Sequence, residues 1–340
     1  MKHLACLSIA RPRVALLLAA SLLAAPLLAV SLSLAPSLAY AQTWPAKPAR
    51  IVVPFAAGSF TETAARALGA ELGNQFGQAF IIETRGGAGS TLGTDAVAKS
   101  TPDGHTLLFT DNSFAVSAAL YAKLPYDPER DIVKISTAAE APAIIMVRQD
   151  LAPKTLRELV ELAKKQPRSL TFGSGGQGSS AHLAQELFFS SVDAELIHVP
   201  YKGVAAAILD LIAGRIDVGL SSVGSSAQHI KGGRIRGLAV AGKERHPLLP
   251  DVPTFAEAGF PDYNMVYWFG LMAPGGTPVN VVTQLQQGVA RAVEQAKIRE
   301  AFAGAGVRAV ANTSAEFTRR VDDEARTWKR VIVRAGVKPE

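Results

Sequence analysis

Arg50-Ile51-Val52-Val53-Pro54-Phe55-Ala56-Ala57-Gly58-Ser59 runs into a helical pattern over residues 61–72, and Leu170-Thr171-Phe172-Gly173-Ser174-Gly175-Gly176-Gln177-Gly178-Ser179 runs into another over 181–189. Both stretches read as an apolar strand, a Gly/Ser loop and a helix start. The first amides of a helix lack internal partners and carry the positive end of its dipole, so each loop is a cradle for a carboxylate or a phosphate. Two such loops facing across a cleft would grip a small acid. The same alternation continues outward, with strand-length apolar segments at residues 51–54, 80–83, 106–110, 143–147, 170–173, 195–199, 218–221, 237–241 and 269–273. Helical patterns fall at 61–72, 91–99, 155–165, 180–189, 203–213, 278–303 and 314–335. Ser180 ahead of Leu183 and Leu187, and Ser314 ahead of Phe317 and Val321, start helices that bury one face. Alternation of this kind specifies an α/β fold on mostly parallel sheets, with helices covering them.

Lys2, Arg11 and Arg13 precede a long Ala/Leu/Val run from Val14 that closes on Ala39-Tyr40-Ala41. Residues 1–41 therefore read as an export signal cleaved near Ala41, with the processed chain starting at Gln42 and destined for the periplasm. A membrane anchor is the alternative, but Pro26 and Pro36 interrupt the run and the small-x-small site is well placed for cleavage. Leu4-Ala5-Cys6 has no apolar stretch before it and is not a lipoprotein site. Cys6 is the one cysteine of the sequence, so the processed chain has no disulfide, thiol nucleophile or thiolate metal site. The formal charge of +6 comes from 35 Lys+Arg against 29 Asp+Glu, and three of the bases lie in the signal, which leaves +3. No basic run is interleaved with aromatics, so nothing supports nucleic-acid binding. Roughly 300 processed residues exceed what one core usually handles, which argues for two domains or one large one. The natural crossings lie near 140–144 and 263–269. They give a first lobe from residues 42–142 and 267–340 and a second from 143–266 inserted between them.

Gly173-Ser174-Gly175-Gly176-Gln177-Gly178 fits the dinucleotide fingerprint G-x-G-x-x-G in a strand-to-helix context. The acid that would hold a ribose is missing, because the next strand ends in Pro200-Tyr201-Lys202. The loop, like the near match at residues 87–93, reads instead as an anion or ligand cradle. Ser174, Ser179, Ser180 and Ser221 with His182, His198 or His229 would make a hydrolase triad on paper, yet no Gly-x-Ser-x-Gly elbow supports it. His182, on the first turn of its helix, either donates to a ligand or packs. His182 with Glu186 alone does not name a metal site, and neither a metal nor a cofactor is expected. Glu62 caps the first helix or meets a ligand ammonium. Phe60 and Trp268 stand beside loops, as pocket walls or as core and hinge anchors.

Further blocks follow in order: Trp44-Pro45 with Pro48, Val53 to Gly58, Glu83 to Gly93, Asp103-Gly104-His105-Thr106-Leu107-Leu108 and Leu124-Pro125-Tyr126-Asp127-Pro128. Then come Gly173 to His182, Val199-Pro200-Tyr201-Lys202-Gly203, Gly214 to Asp217, Leu249-Pro250-Asp251-Val252-Pro253-Thr254 and Ala273-Pro274 to Pro278. Each block is weak alone; all of them in this order are specific, and the chain resembles the Bug, or tripartite tricarboxylate transporter (TctC-like), extracytoplasmic solute receptors.

That resemblance implies a two-lobed periplasmic binding protein fold, type II-like, with a ligand cleft between the lobes. It implies a non-enzymatic receptor, monomeric by default, that closes over a small carboxylate and delivers it to membrane transporter subunits. The expected ligand-binding set is Gly58, Ser59, Phe60, Thr61 and Glu62 in the first loop, and Ser174, Gly175, Gly176, Gly178, Ser179 and His182 in the second. Ser221, Ser222 and Trp268 complete it. The chain departs from the family where ligand is held. The family's Gly-Gly-x-x-Asp is here Gly58-Ser59-Phe60-Thr61-Glu62, and its Asn-Arg-x-Gly-Ala-Gly-Gly is Thr84-Arg85-Gly86-Gly87-Ala88-Gly89-Ser90. Ser221 and Ser222 stand where members often carry Asp or another polar group. A bulky Phe60 would narrow the pocket or stack on an aromatic acid, and the longer Glu62 would reach further into the cleft. Two rival outputs remain: a sensor that reads the closed form, and a secreted Ser/His hydrolase whose turnover a His182→Ala variant would abolish.

Overall fold

A computed structural model of the chain describes residues 44–335 and 337; the export signal and its cleavage site lie outside the described residues. The order is β1 (Ala49–Val53), α1 (Phe60–Phe76), β2 (Phe80–Thr84), α2 (Thr91–Ala98), β3 (Thr106–Asp111), α3 (Ser113–Leu120) and β4 (Ile132–Arg148). It continues with α4 (Leu156–Lys165), β5 (Thr171–Ser174), α5 (Ser180–Ser191), β6 (Ile197–Pro200), α6 (Val204–Ile212), β7 (Val218–Ser222), α7 (Val223–Lys231) and β8 (Ile235–Val240). The last elements are β9 (Val266–Pro274), α8 (Val279–Glu294), α9 (Ala296–Gly304), β10 (Arg308–Ala309) and α10 (Ser314–Ala335).

The strands join in the order β2-β1-β3-β9-β4-β7-β5-β6, with β8 and β10 also paired to β4. Parallel pairing holds at the two ends, where β1 lies beside β2 and β3, and β5 beside β6 and β7. The middle corrects the expectation of mostly parallel sheets: β9 runs antiparallel to β3 and β4, and β4 runs antiparallel to β7, β8 and β10. Strand β4 is 17 residues long and serves both halves. From Ile132 to Pro142 it pairs with β9, and from Ala143 to Val147 with β7. Pro142, with no N–H to donate, stands where the partners change.

The sequence reading leaves out the first half of β4, although Ile132-Val133-Lys134-Ile135 carries β-branched strand character; only Ala138-Ala139-Glu140-Ala141-Pro142 lacks it. There the neighbours β9 and β10 impose the extended form. Helices α3 and α7 escape the reading because they are short and follow a strand directly: α3, Ser113-Phe114-Ala115-Val116-Ser117-Ala118-Ala119-Leu120, shows no polar face to set a period, and α7 spans only nine residues. The single helix expected over residues 278–303 is two, broken at Gln295, whose ψ of 130° takes the chain out of the helical region without a Gly or Pro to announce it. Strands β1, β3, β5 and β7 each run into a helix, α1, α3, α5 and α7. Four helix starts therefore gather at the carboxyl ends of strands, where open α/β sheets place their ligands.

Candidate functional site

Those four starts enclose one small cavity of about 30 Å³. The β1–α1 loop brings Phe55, Ser59 and Thr61; the β3–α3 corner brings Asp111 and Ser113; the β5–α5 loop brings Gly175, Ser179, Ser180 and Ala181. Ser221, Ser222 and Ser225 come from the β7–α7 corner, Val204 from α6, and Tyr267 and Phe269 from β9. In this closed form the space suits about a water molecule. Contacts between the opposing loops keep it shut. The Ser180 amide donates to Ser113 Oγ at 2.9 Å, and Ser113 Oγ donates in turn to Ser180 Oγ at 3.2 Å. Gly89 comes so near the 177–178 loop that a Cβ there would lie 2.5 Å from the Gln177 carbonyl oxygen. A larger open groove of about 840 Å³ runs along α10 past Phe260 and Trp328, but none of the four helix starts lines it, so the smaller cavity is the better ligand site.

The two Gly/Ser loops are built on one plan. Ser59 caps α1 by accepting from the Glu62 amide at 3.2 Å, and Glu62 Oε2 reaches back to accept from the Gly58 amide at 2.8 Å. Ser179 caps α5 by accepting from the His182 amide at 3.3 Å, and His182 Nδ1 reaches back to accept from the Gly178 amide at 3.2 Å. Both glycines take positive φ, 90° at Gly58 and 70° at Gly178, which an L side chain resists. The third side chain of each helix thus closes a capping box, and helix geometry leaves the Phe60, Thr61 and Ala181 amides without intrahelical acceptors.

Of the residues expected at the ligand, Ser59, Thr61, Gly175, Ser179, Ser221 and Ser222 line the cavity. The others stand outside its lining, each for a visible reason. Gly58, Gly176 and Gly178 shape turns at positive φ. Glu62 spends one oxygen on Gly58 and the other on Arg66, whose Nε donates at 2.8 Å. The Gly58 amide and the Arg66 guanidinium, against the cost of burial, hold the Glu62 carboxyl below its ordinary value. Phe60 packs edge-on against Phe269, centroids 4.9 Å apart, and backs the wall that Phe269 forms. Ser174 donates to the Gly176 carbonyl at 3.0 Å and contacts His198 Nε2 at 2.7 Å, wholly buried.

His182 packs instead of facing the cavity. Because Nδ1 accepts from Gly178, its proton sits on Nε2, and its ring stacks on His198. Burial pushes His182 down to about 3 and His198 down to about 4, so both imidazoles are neutral. Trp268 is fully buried on the opposite face of β9, its Nε1 donating to Glu324 and its ring edge-on to Phe317. Strand alternation turns Tyr267 and Phe269 toward the cavity and Trp268 away.

Asp111, Ser113, Ser180, Ser225, Tyr267 and Phe269 are lining residues outside the set expected from the sequence. A signal existed for the first two: Leu107-Leu108-Phe109 runs into Thr110-Asp111-Asn112-Ser113 and then a helix, the same device without its glycines. Among the described residues no group of three or more His, Cys, Asp or Glu gathers to hold a metal. Among them, too, no helix is long and apolar enough to cross a membrane.

Comparison with known proteins adds to this geometry. Residues 64–337 match the family model described as "Tripartite tricarboxylate transporter family receptor". Protein BugT of Bordetella pertussis is 34% identical over 300 residues, which span 88% of this chain and 92% of that protein. The fold is that of two-lobed periplasmic binding proteins. Rpa4515 of R. palustris, solved with adipate, superposes with a TM-score of 0.83 at 32% identity, covering 87% of this chain and all (100%) of the other. MatC of Rhodopseudomonas palustris, solved with bound malate, gives 0.82 at 31% identity over 85% of this chain and 100% of that one.

Proposed function

The chain belongs to the tripartite tricarboxylate transporter receptor family, and on that premise we propose that it captures a small organic carboxylate between its lobes and presents it to the membrane subunits of a transporter. The observation that carries this reading is the pair of Ser-capped helix starts, at Ser59 and Ser179, opening on one closed cavity rimmed by hydroxyls. The Phe60, Thr61 and Ala181 amides, which have no intrahelical acceptor, offer donors in fixed positions to a ligand carboxylate, whose desolvation demands a donor or a water for nearly every lone pair. The relatives solved with adipate and with malate accord with it.

The lobes are residues 42–142 with 267–340, and 143–266; the change of partners along β4 at Pro142 supports that division. Ligand enters an open form on one lobe, and closure adds the donors of the other, so it shifts the population by binding the closed state better. The N-terminal pattern of residues 1–41 supports export, cleavage near Ala41 and a periplasmic location. The receptor works as a monomer and without chemistry of its own on the ligand.

The test is a thermal-shift screen of the processed protein, unfolded and refolded to free it of carried ligand, against small carboxylates and their matched amides. A ligand at a hundredfold excess over Kd adds about 2.7 kcal/mol to stability. A rise in Tm with an acid but not its amide is expected. No rise with any acid overturns the reading.

A further inference from the structure

We infer that Asp111 makes this chain a receptor for a carboxylate that also carries an ammonium group, Asp111 holding the ammonium while the Tyr267 hydroxyl donates to the ligand. The inference rests on the carboxylate-receptor reading and narrows its ligand class. Among the described residues, Asp111 is the one carboxylate lining the cavity, and no Lys, Arg or His lines it. Its Oδ1 accepts from the Ser113 amide at 2.8 Å. The Ser180 hydroxyl, which accepts from Ser113 Oγ, gives its own proton to the same carboxylate, and burial outweighs these donors, lifting the carboxyl to about 6. At neutral pH it is therefore an anion held by neutral donors alone. A ligand carboxylate shut in beside it would set two desolvated like charges together without a cation. A ligand that brings its own ammonium supplies that cation. A hydroxyl on the ligand could bond Asp111 but would leave the charge standing.

A second, independent observation calls for a ligand oxygen in the same cavity, and so bears on the ligand's acid group and not on its ammonium. Tyr267 is 3% exposed, lines the same cavity, and its hydroxyl has no hydrogen-bond partner among the described residues. Burial first, then the nearby Tyr263 and Asp111, push its phenol far above the ordinary range, so it stays a donor. A buried donor without an acceptor is costly, and a ligand oxygen would satisfy it. Asp111 has a humbler role as well, since its oxygen anchors the start of α3 through Ser113. Asparagine can fill that role equally, which separates the two by experiment.

The experiment is titration calorimetry with matched pairs: L-alanine and propionate, L-aspartate and succinate, L-glutamate and glutarate, L-phenylalanine and 3-phenylpropionate. It is run on the wild-type protein and on Asp111→Asn, which keeps the acceptor for Ser113 and removes the charge. Asp111→Ser stands in should the asparagine variant fail to fold. The wild-type protein should bind the amino member of at least one pair at least tenfold tighter. The variant should lose tenfold or more for that amino acid and hold or gain affinity for its partner. Equal or tighter binding of the partner acids by the wild-type protein overturns the inference, as does a preference that survives the loss of charge. Both of those outcomes leave the carboxylate reading standing. Binding of no acid in either column overturns that parent reading and this inference with it.

Discussion

His182 and His198 lie face to face, ring centroids 3.8 Å apart and planes within 9° of parallel. Burial, and for His182 also the neighbouring His198, holds them to about 3 and about 4 against an ordinary histidine value of 6.5. Unfolding exposes both, and they take up protons near 6.5. Stability from this pair is therefore full above that pH and is lost as pH falls toward 4 and then 3. The slope is at most about 1.4 kcal/mol per pH unit for each imidazole. Urea denaturation between pH 7 and 5 should show stability falling with acid, and a His182→Asn/His198→Asn double variant should show a flatter profile. Parallel profiles would assign the acid sensitivity to other groups.

Glu62 Oε2 fixes the Gly58 amide, and Oε1 takes Arg66. Glu62→Ala should cost about 1–2 kcal/mol by opening the capping box at the start of α1. Glu62→Gln, which keeps an acceptor for Gly58, should recover more than half of that loss in the same denaturation assay.

Tyr267 and Trp268 are adjacent and should respond in opposite ways. Trp268→Phe removes the Nε1 donor of Glu324, a carboxyl that burial raises above its ordinary value, and should destabilise by about 1–3 kcal/mol. Tyr267→Phe removes a hydroxyl with no partner, so the ligand-free protein should lose no more than about 0.5 kcal/mol or gain stability. Ligand affinity should nevertheless fall in the Tyr267 variant, measured by calorimetry.

Gly89 has φ of 59°, and any Cβ there meets the Gln177 carbonyl oxygen at 2.5 Å. Gly89→Val should strain its own turn by about 1–2 kcal/mol and prop the opposing loops apart. Small-angle scattering should report a larger radius of gyration with ligand than for the wild-type protein, and affinity should drop at least tenfold. A fully closed variant with unchanged affinity would show that the contact between residues 89 and 177 does not gate closure.

The elements at the two ends of the sheet were legible because their own residues specify them. β-Branched strands such as Ile51-Val52-Val53 feed helices whose caps, Ser59 and Ser179, are local hydrogen bonds between residues three apart. The central β4 was half hidden: Ile132-Val133-Lys134-Ile135 has strand character of its own, whereas the alanine-rich stretch from Ala138 to Ala141 has little and is held extended between β9 and β10. In the site, the Gly/Ser loops announced four of the lining residues and the end of β7 two more, Ser221 and Ser222, while Asp111 and Ser113 stood in a loop without glycine. Glu62 and His182 were seen as polar groups near the cavity, but the sequence left open whether they faced the ligand or closed a cap.

The sequence by itself determined the α/β alternation, the two capped helix starts and the family, because strand propensity, capping and turn chemistry act over a few residues. Only the tertiary structure decided which side chains face the cavity. That choice depends on pairings such as Phe269 with Asp111 and Ala143 with Ser222, made between segments far apart in the chain. On β9 the pairing turns Tyr267 inward and Trp268 outward, and a slip of one residue would exchange them.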